Sequence, residues 1–415
     1  MLGDPLLDPA TPSDLPGFLN VLGQGNIRFA GESSDRSTVW SSNPTFTKPS
    51  WATKVLTPAM LVPVASLATA TGWSVDLGVN LLHPSAPRAA DEIQHAASAF
   101  GTSLHTVEIG NEPEIYDLIY GYPLSFPSYV NELDSYVSAI DAVDPAARIG
   151  GADNYLDGWL ADLRAASSSG INQFKDFNFH FYPYADCNGL NIPSGTLLSA
   201  SSFAAEARII SETRAVAAAR GWVLRFDELN SISCGNSSPV VHTYASALWA
   251  VHALLQAARG GVAMVNVEVN PHDCTTYTPI CVPDPINHPG TIQRMPISYA
   301  MQLVSALRGG VFLHSSITSG TQLTGRQSAY ALHLLDGRSA VVVDNSSSAA
   351  MTNFSIATAL PQKVVEIRTM EGDGTAVQLQ GTTTSLIDDL TPTSSLTSGL
   401  TIPAYTTTVF YLSPA

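Results

Sequence analysis

Between about residues 13 and 308 the sequence alternates short apolar segments with alanine-rich segments, and this alternation limits the fold more than any other feature. The apolar segments are rich in Val, Ile and Phe and contain few alternating polar residues, which is typical of strands buried on both faces. The predicted strands are residues 26–29, 74–79, 106–109, 148–150, 177–181, 223–226 and 262–267.

The intervening segments have the apolar spacing and end signals of helices. Pro87 opens one of them, its apolar residues recur on one face up to Phe100, and Gly101 follows as a stop. By the same criteria the predicted helices include residues 13–22, 87–100, 202–220, 243–259 and 298–308.

Alternating strands and helices predict a parallel sheet with right-handed crossovers. Seven strands in about 300 residues are close to the eight of a (β/α)8, or TIM, barrel, which we assign to residues 1–309. A doubly wound open sheet is the alternative, but it would be expected to bind a nucleotide. The sequence contains no GxGxxG or GKS/GKT loop for that purpose.

The N-terminal segment is predicted to lack the first barrel strand. Residues 1–12 contain two aspartates and three prolines and no apolar run that could form a buried strand. We therefore expect a gap between the strands at 26–29 and 262–267. The segment also lacks the basic and apolar regions of a secretory leader, so we expect any leader to be absent from this chain.

After residue 310 the helical pattern ends, and short alternating runs separated by Ser, Thr and Gly follow. This pattern predicts a β-sandwich over residues 310–415. Its predicted strands are residues 330–334, 340–343, 364–368, 376–380 and 407–412.

The charge and cysteine content exclude several kinds of partner. The net charge is −16 with only four lysines, which argues against nucleic acid as a ligand. No apolar run reaches the ~18 residues of a membrane span, and charged residues at only 13% suit an extracellular protein. The cysteines lack CxxC spacing, so we expect no metal site. The pairs Cys187–Cys234 and Cys274–Cys281 are predicted disulfides, because the first pair follows neighbouring strands and the second shares one loop.

Two predicted strands end in glutamates that suit glycoside hydrolysis. Residues 107–114 read Val-Glu-Ile-Gly-Asn-Glu-Pro-Glu, and residues 222–230 read Trp-Val-Leu-Arg-Phe-Asp-Glu-Leu-Asn. With one strand counted before residue 26, Glu112 follows strand four and Glu228 follows strand seven. Side chains at the carboxyl ends of barrel strands point into the active-site mouth. There, one carboxyl group can protonate a leaving oxygen while the other attacks the anomeric carbon.

These motifs resemble those of clan A retaining glycosidases, in which Asn-Glu-Pro follows strand four and a glutamate follows strand seven. Residues 227–235, Asp-Glu-Leu-Asn-Ser-Ile-Ser-Cys-Gly, are similar to the nucleophile loop of glycoside hydrolase family 79, which contains β-glucuronidases and heparanase-like enzymes. Residues 28–35 resemble that family's Arg-x-Gly-Gly-Asn-Ser-x-Asp segment, although Ala30 and Glu32 depart from it. The resemblance covers nearly the whole chain and implies that Glu112 is the general acid/base and Glu228 the nucleophile.

The same resemblance implies roles for further residues at the mouth. Asn111 would hold the sugar 2-hydroxyl, Tyr182 would hydrogen-bond the nucleophile, and backbone N–H groups around residues 233–235 would receive a sugar carboxylate. Arg28 either orients Glu228 or forms a buried ion pair, and His180 is interpreted as a core histidine. Trp40, Tyr155 and Trp159 either stack on sugars or pack under loops. The predicted substrate-binding residues are Asn111, Tyr182, Arg28, Ser33, Asn230, Ser233 and Gly235.

The resulting hypothesis is a monomeric, secreted, exo-acting β-glucuronidase that needs no metal or organic cofactor and binds a carbohydrate substrate. An endo-acting heparanase-like enzyme and a neutral-sugar β-glycosidase are alternatives of the same class. A non-catalytic sugar-binding protein on a truncated barrel is the alternative from a different class.

Overall fold

The computed structural model describes residues 2–7, 12–234, 238–317, 324–358, 362–374, 376–383 and 395–414. Seven parallel strands form the N-terminal sheet, and each contains one of the seven predicted segments or most of it. They are β1 (Asn26–Phe29), β2 (Ser74–Val79), β3 (Leu104–Ile109), β4 (Ile149–Asn154), β5 (Phe174–Phe181), β6 (Val223–Leu229) and β7 (Met264–Val267). They neighbour one another in chain order, as in a βα barrel.

Helices cover the outside of this sheet, so the strands are buried on both faces. The helices are Leu15–Leu22, Glu32–Arg36, Leu61–Thr71, Ala86–Phe100, Tyr116–Tyr120, Phe126–Asp141, Leu160–Ala165, Ser169–Gln173, Ser194–Leu197, Ala200–Arg220, Tyr244–Gly260 and Pro296–Ser305. Local signals set their ends. The helix Ala200–Arg220, for example, begins where the Ser199 hydroxyl accepts a hydrogen bond from the amide of Ser202, and it ends at Gly221, whose φ is 72°.

The predicted gap lies between β1 and β7. Within the described residues no ladder of backbone hydrogen bonds joins these two strands. The seven-stranded barrel is therefore nearly, but not fully, closed. The side-chain amide of Asn266 spans the seam, donating to the backbone oxygen of Asn26 at 3.1 Å and to its side-chain oxygen at 2.9 Å. A side chain thus satisfies one of the backbone groups that a missing strand would otherwise leave unpaired.

The C-terminal part is the predicted antiparallel sandwich. Its strands are β8 (Val311–Leu313), β9 (Gln327–His333), β10 (Ser339–Asn345), β11 (Met351–Ala357), β12 (Gln362–Asp373), β13 (Ala376–Thr383), β14 (Ser395–Ile402) and β15 (Thr406–Pro414). Six of them form one sheet in the order β8-β9-β10-β15-β12-β13, and β11 pairs with β14 to form the second.

Alternation along β15 places the large sheet between two apolar layers. Val409 and Tyr411 belong to the core that continues into the barrel, whereas Phe410 and Leu412 pack toward the β11–β14 pair. Tyr244, at the start of the helix Tyr244–Gly260, connects the two parts. Its hydroxyl lies within hydrogen-bond distance of two backbone oxygens, that of Met370 at 2.7 Å and that of Tyr405 at 2.8 Å. The barrel and the sandwich therefore share one continuous core.

Both predicted disulfides, Cys187–Cys234 and Cys274–Cys281, are present and confirmed. The first joins the loops that follow β5 and β6, at the same end of the barrel as Glu112 and Glu228. Among the described residues, no helix has both the length and the apolar character needed to cross a bilayer.

Candidate active site

Glu112 and Glu228 lie together at the carboxyl ends of the barrel strands. Glu228 is the second-last residue of β6, and it pairs in register with His180 of β5. Glu112 follows β3, and its amide donates to the backbone oxygen of Asp153 at 3.0 Å. Glu112 has a φ of 54°, a left-handed conformation that is uncommon outside glycine and is found at functional sites. This backbone turns its side chain toward β5 and β6.

The two carboxyl groups are close and reach solvent. A carboxylate oxygen of Glu112, one of Glu228 and a ring nitrogen of His180 all lie within 4.8 Å of one another. The side chains of Glu112 and Glu228 are 15% and 13% exposed, so a ligand in the mouth can reach both. This spacing is below the ~6.5–9.5 Å of inverting glycosidases and suits direct attack by one carboxylate.

Two donors hold the carboxylate of Glu228. Arg28 places its guanidinium nitrogen Nη1 2.9 Å from Oε2, and the Tyr182 hydroxyl donates to Oε1 at 2.7 Å. Burial alone would raise the pKa of Glu228, but the charges of His180 and Arg28 and the Tyr182 hydrogen bond outweigh burial and lower it. Glu228 is therefore ionised over the whole physiological pH range.

The pKa of Glu112 shifts in the opposite direction. Its Oε1 lies 2.8 Å from Nδ1 of His180. Burial raises the pKa of Glu112 above its ordinary value, and the negative charge of Glu228 adds to this, although His180 and Arg28 act against it. The surroundings thus favour the protonated form of Glu112 and the ionised form of Glu228.

A buried polar layer beneath the pair keeps this arrangement in place. Arg28 Nε lies 2.7 Å from Oε2 of Glu108 and 3.2 Å from Oδ2 of Asp227, and its Nη2 donates to Asn111 at 3.1 Å. His180 faces the same Asp227 with Nε2 at 3.5 Å. A single arginine fork thus orients side chains from β3, its following loop and β6.

The charges in this layer balance. The pKa of Asp227, like that of Glu228, lies below its ordinary value, because Arg28 and His180 outweigh the effect of burial. The pKa of His180 is raised, because the carboxylates of Glu228 and Asp227 outweigh the burial of its ring. Burial raises the pKa of Glu108 to about 7. Two cations, Arg28 and His180, therefore face two firmly ionised carboxylates, which avoids an uncompensated buried charge.

The other predicted substrate-binding residues have different surroundings. Asn111 is buried beside Glu112, and its backbone N–H donates to the carboxylate of Asp35 at 2.7 Å. Ser33 is exposed on the helix Glu32–Arg36. Asn230 is fully buried, and its side-chain amide donates to the backbone oxygens of Glu268 at 3.2 Å and Tyr277 at 3.0 Å. Ser233 reaches the mouth, with its hydroxyl 3.4 Å from that of Tyr155. Gly235 lies outside the described residues.

Aromatic rings line one side of the mouth. The ring of Tyr182 lies edge-on to Tyr155, with centroids 6.0 Å apart, and to Tyr277, with centroids 6.3 Å apart. Trp159 instead packs against Phe126 and Tyr129, and the Trp40 indole donates to Asp91 at 2.6 Å. Tyr155 thus faces the site, where it can stack on a sugar, whereas Trp40 and Trp159 pack against other parts of the protein.

Two residues at the mouth, His180 and Glu268, were not among the predicted site residues. His180 contacts Glu112 directly, and Glu268, which follows β7, interacts electrostatically with Glu228. A signal for the first was present. Asn178, His180 and Tyr182 alternate with phenylalanines along β5, and this period of two predicts a polar inner face. Glu268 follows β7 directly, but no sequence motif marks it.

Solved structures of glycosidases are similar to this chain over nearly its whole length. No protein-family model and no curated protein matches the chain. A 4-O-α-L-rhamnosyl-β-D-glucuronidase from Fusarium oxysporum is similar over 99% of this chain and 93% of its own, with a TM-score of 0.73 and 16% identity. A GH51 arabinofuranosidase from Xanthomonas axonopodis is similar over 96% of this chain and 89% of its own, with a TM-score of 0.69 and 13% identity.

The chain has the fold of these glycosidases. A bifunctional glucanase-xylanase from a metagenome library shares it as well, over 98% of this chain and 96% of its own, with a TM-score of 0.62 and 13% identity. All three pairwise identities are below 25%, so the common feature is the fold.

Proposed function

We propose that this protein is a retaining glycoside hydrolase in which Glu228 is the nucleophile and Glu112 the general acid/base. One observation carries the proposal. One carboxylate oxygen of Glu112 lies within 4.8 Å of one of Glu228, and the surroundings shift the two pKa values in opposite directions. A retaining glycosidase needs an ionised nucleophile beside a protonated acid.

The reaction follows from these two states. The Glu228 carboxylate attacks the anomeric carbon while Glu112 gives its proton to the departing glycosidic oxygen, so that one C–O bond forms as another breaks. Glu112, now ionised, takes a proton from water, and the resulting hydroxide displaces Glu228 from the sugar. Arg28 and Tyr182 hold the attacking oxygens in place, and His180 orients Glu112. The enzyme returns to its initial protonation state.

For the sugar, we propose a β-glucuronide, cleaved from the non-reducing end. The support is the resemblance of residues 227–235 to the nucleophile loop of the glucuronidase family. Because both cations beside the pair, Arg28 and His180, already face carboxylates, the donors to a sugar carboxylate would be neutral. We propose Ser233 as one such donor, and its support is the position of its hydroxyl 3.4 Å from that of Tyr155.

The two disulfides support an extracellular location, because such bonds persist in oxidising compartments. We propose that the protein acts there as a monomer on a carbohydrate substrate, without nucleic acid or a cofactor. Size-exclusion chromatography with light scattering tests the monomer, and the expected result is the 43.9 kDa mass of one chain.

Side-by-side hydrolysis of an aryl β-glucuronide, β-glucoside and β-xyloside tests the function. We expect the glucuronide to react fastest and both Glu228→Gln and Glu112→Gln to reduce turnover by at least about a thousandfold. Equal rates on all three sugars would remove the glucuronide assignment and favour a neutral β-glycosidase. Cleavage of only internal linkages in a glucuronic-acid-containing glycan would favour an endo-acting enzyme. Binding without turnover would favour a non-catalytic protein.

A further inference from the structure

Glu268 is a third carboxyl group at the mouth, and the backbone fixes its direction. It follows β7 directly, and its amide donates to the backbone oxygen of Leu229 at 3.1 Å. Val267 lies level with Leu229, and both side chains pack into the apolar core. Because side chains alternate along a strand, Glu268 points inward, toward the same space as Glu228.

The carboxyl group of Glu268 is half-buried but has no hydrogen bond or ion pair within the described residues, unlike Glu108, Glu112, Asp227 and Glu228. Its surroundings come from every strand that bounds this part of the mouth. The charged or titratable groups that face it are Glu228, Arg28, His180, Glu112, Tyr182 and Tyr277. Among the described residues, none therefore supplies a hydrogen-bond or ion-pair partner for the Glu268 carboxyl group.

Strand order locates this group relative to a bound sugar. Glu112 belongs to the β3 side of Glu228, whereas Glu268 follows β7, the neighbour of β6 on the opposite side. The leaving group must extend toward the acid Glu112. Glu268 therefore lies on the side of the sugar ring away from the leaving group, among the substituents of the other ring carbons. Of these, only the substituent on C5 differs between a glucuronide and a glucoside.

We propose that Glu268 is a specificity-determining residue that hydrogen-bonds the C5 substituent of the sugar, donating its proton to a carboxylate there and repelling that carboxylate once the proton is lost. This inference rests on the proposed function and adds to it a residue and a pH-dependent choice between acidic and neutral sugars.

The proton is available at neutral pH. Burial and the charge of Glu228 raise the pKa of Glu268 to about 8, although Arg28 and His180 oppose the shift. A neutral carboxylic acid donates to an anion, and such charge-assisted hydrogen bonds are stronger than neutral ones. Above this pKa, two carboxylates would face each other in a partly desolvated space, which is unfavourable. A neutral sugar with a hydroxymethyl group at C5 would not meet this repulsion.

Equilibrium binding tests the inference without any need for turnover. Calorimetric titration of the full chain with D-glucuronate and, separately, D-glucose is carried out at pH 6 and pH 9. At one unit above the pKa only about a tenth of Glu268 stays protonated, so the Kd for glucuronate should rise about tenfold, while that for glucose changes less than about threefold. The variant Glu268→Gln donates at both pH values and should lose the rise for glucuronate.

Two further variants make the result specific. Glu268→Leu cannot donate, and it should bind glucuronate at least about tenfold more weakly than the wild type already at pH 6. Glu212→Gln removes a negative charge from an exposed carboxylate that is paired with Arg208 on the helix Ala200–Arg220. In this control variant the Kd for glucuronate should rise between pH 6 and pH 9 as it does in the wild type.

An unchanged rise of the glucuronate Kd in Glu268→Gln would overturn the inference, and so would equal pH dependence for glucuronate and glucose in the wild type. Failure of the proposed function has a different signature, because it would appear as turnover that survives Glu228→Gln, whatever the binding data show.

Discussion

The imidazole Nδ1 of His180 lies 2.8 Å from Oε1 of Glu112, while Nε2 of the same ring faces Asp227 at 3.5 Å. The histidine therefore connects the proposed acid to a buried carboxylate on the strand of the proposed nucleophile. Because the pKa of His180 is raised by Glu228 and Asp227 against the effect of burial, the ring is a cation that influences both glutamates.

The pH profile of kcat/KM should be bell-shaped, with limbs that report the two glutamates. Activity is lost as pH falls through the lowered pKa of Glu228, which must be ionised, and as pH rises through the raised pKa of Glu112, which must be protonated. In His180→Gln the lost positive charge should raise both pKa values, so both limbs should move upward by about one unit. Limbs that stay in place in this folded variant would show that His180 has no electrostatic influence.

Tyr182→Phe removes the hydroxyl that donates to Glu228 at 2.7 Å. A hydrogen bond to a charged group contributes about 1.5–3 kcal/mol, so kcat/KM should fall about tenfold to a hundredfold. The acidic limb should also move upward, because this hydrogen bond lowers the pKa of Glu228. Tyr184→Phe is the matched control, since its hydroxyl donates to the backbone of Thr196 at 3.1 Å. An equal loss in both variants would contradict the specific role of Tyr182.

Asn266→Ala removes the side chain that spans the seam between β1 and β7. It leaves the buried backbone oxygen of Asn26 without this donor, which should lower the free energy of unfolding by about 1–3 kcal/mol. Denaturant titration measures the change. Asn20→Ala, an exposed asparagine on the helix Leu15–Leu22, should stay within about 0.5 kcal/mol of the wild type. Equal stability of Asn266→Ala and the wild type would show that the seam is stabilised by other contacts.

The two disulfides should differ in their contribution to stability. Cys187–Cys234 spans 47 residues and Cys274–Cys281 spans 7. On a chain-entropy basis, loops of these sizes correspond to about 4 and about 2.5 kcal/mol. Replacing both members of the first pair by serine should therefore lower the melting temperature more than replacing both members of the second. The reverse order would show that local packing dominates the stability of these loops.

The sequence predicted the architecture well because strand burial and helix ends are local signals. Residues 26–29 and 74–79 match β1 and β2 at both ends. The prediction for β4 was too short, because Gly150 and Gly151 and the polar residues after them have low strand propensity. In the sandwich, β11 and β14 were missed. Polar residues interrupt the apolar pattern of β11, β14 is rich in Ser, Thr and Gly, and the two pair with each other across about 40 to 50 residues.

The site was predictable only where a motif marked it. Glu112 and Glu228 follow apolar strands in recognisable strings, and Tyr182 and Arg28 could be placed relative to them. The role of His180 and the direction of Glu268 depend on which strands become neighbours, because their partners are more than 30 residues away in the sequence. Such partners are fixed by the register of the sheet, which single-residue patterns do not contain.

The stereochemistry of hydrolysis tests the central proposal most directly. Proton NMR during the first minutes of cleavage of an aryl β-glycoside, before mutarotation, shows which anomer is released. Because Glu228 attacks first and water then displaces it, we expect the β-anomer to appear first. Initial release of the α-anomer would mean single displacement by water and would contradict Glu228 as the nucleophile.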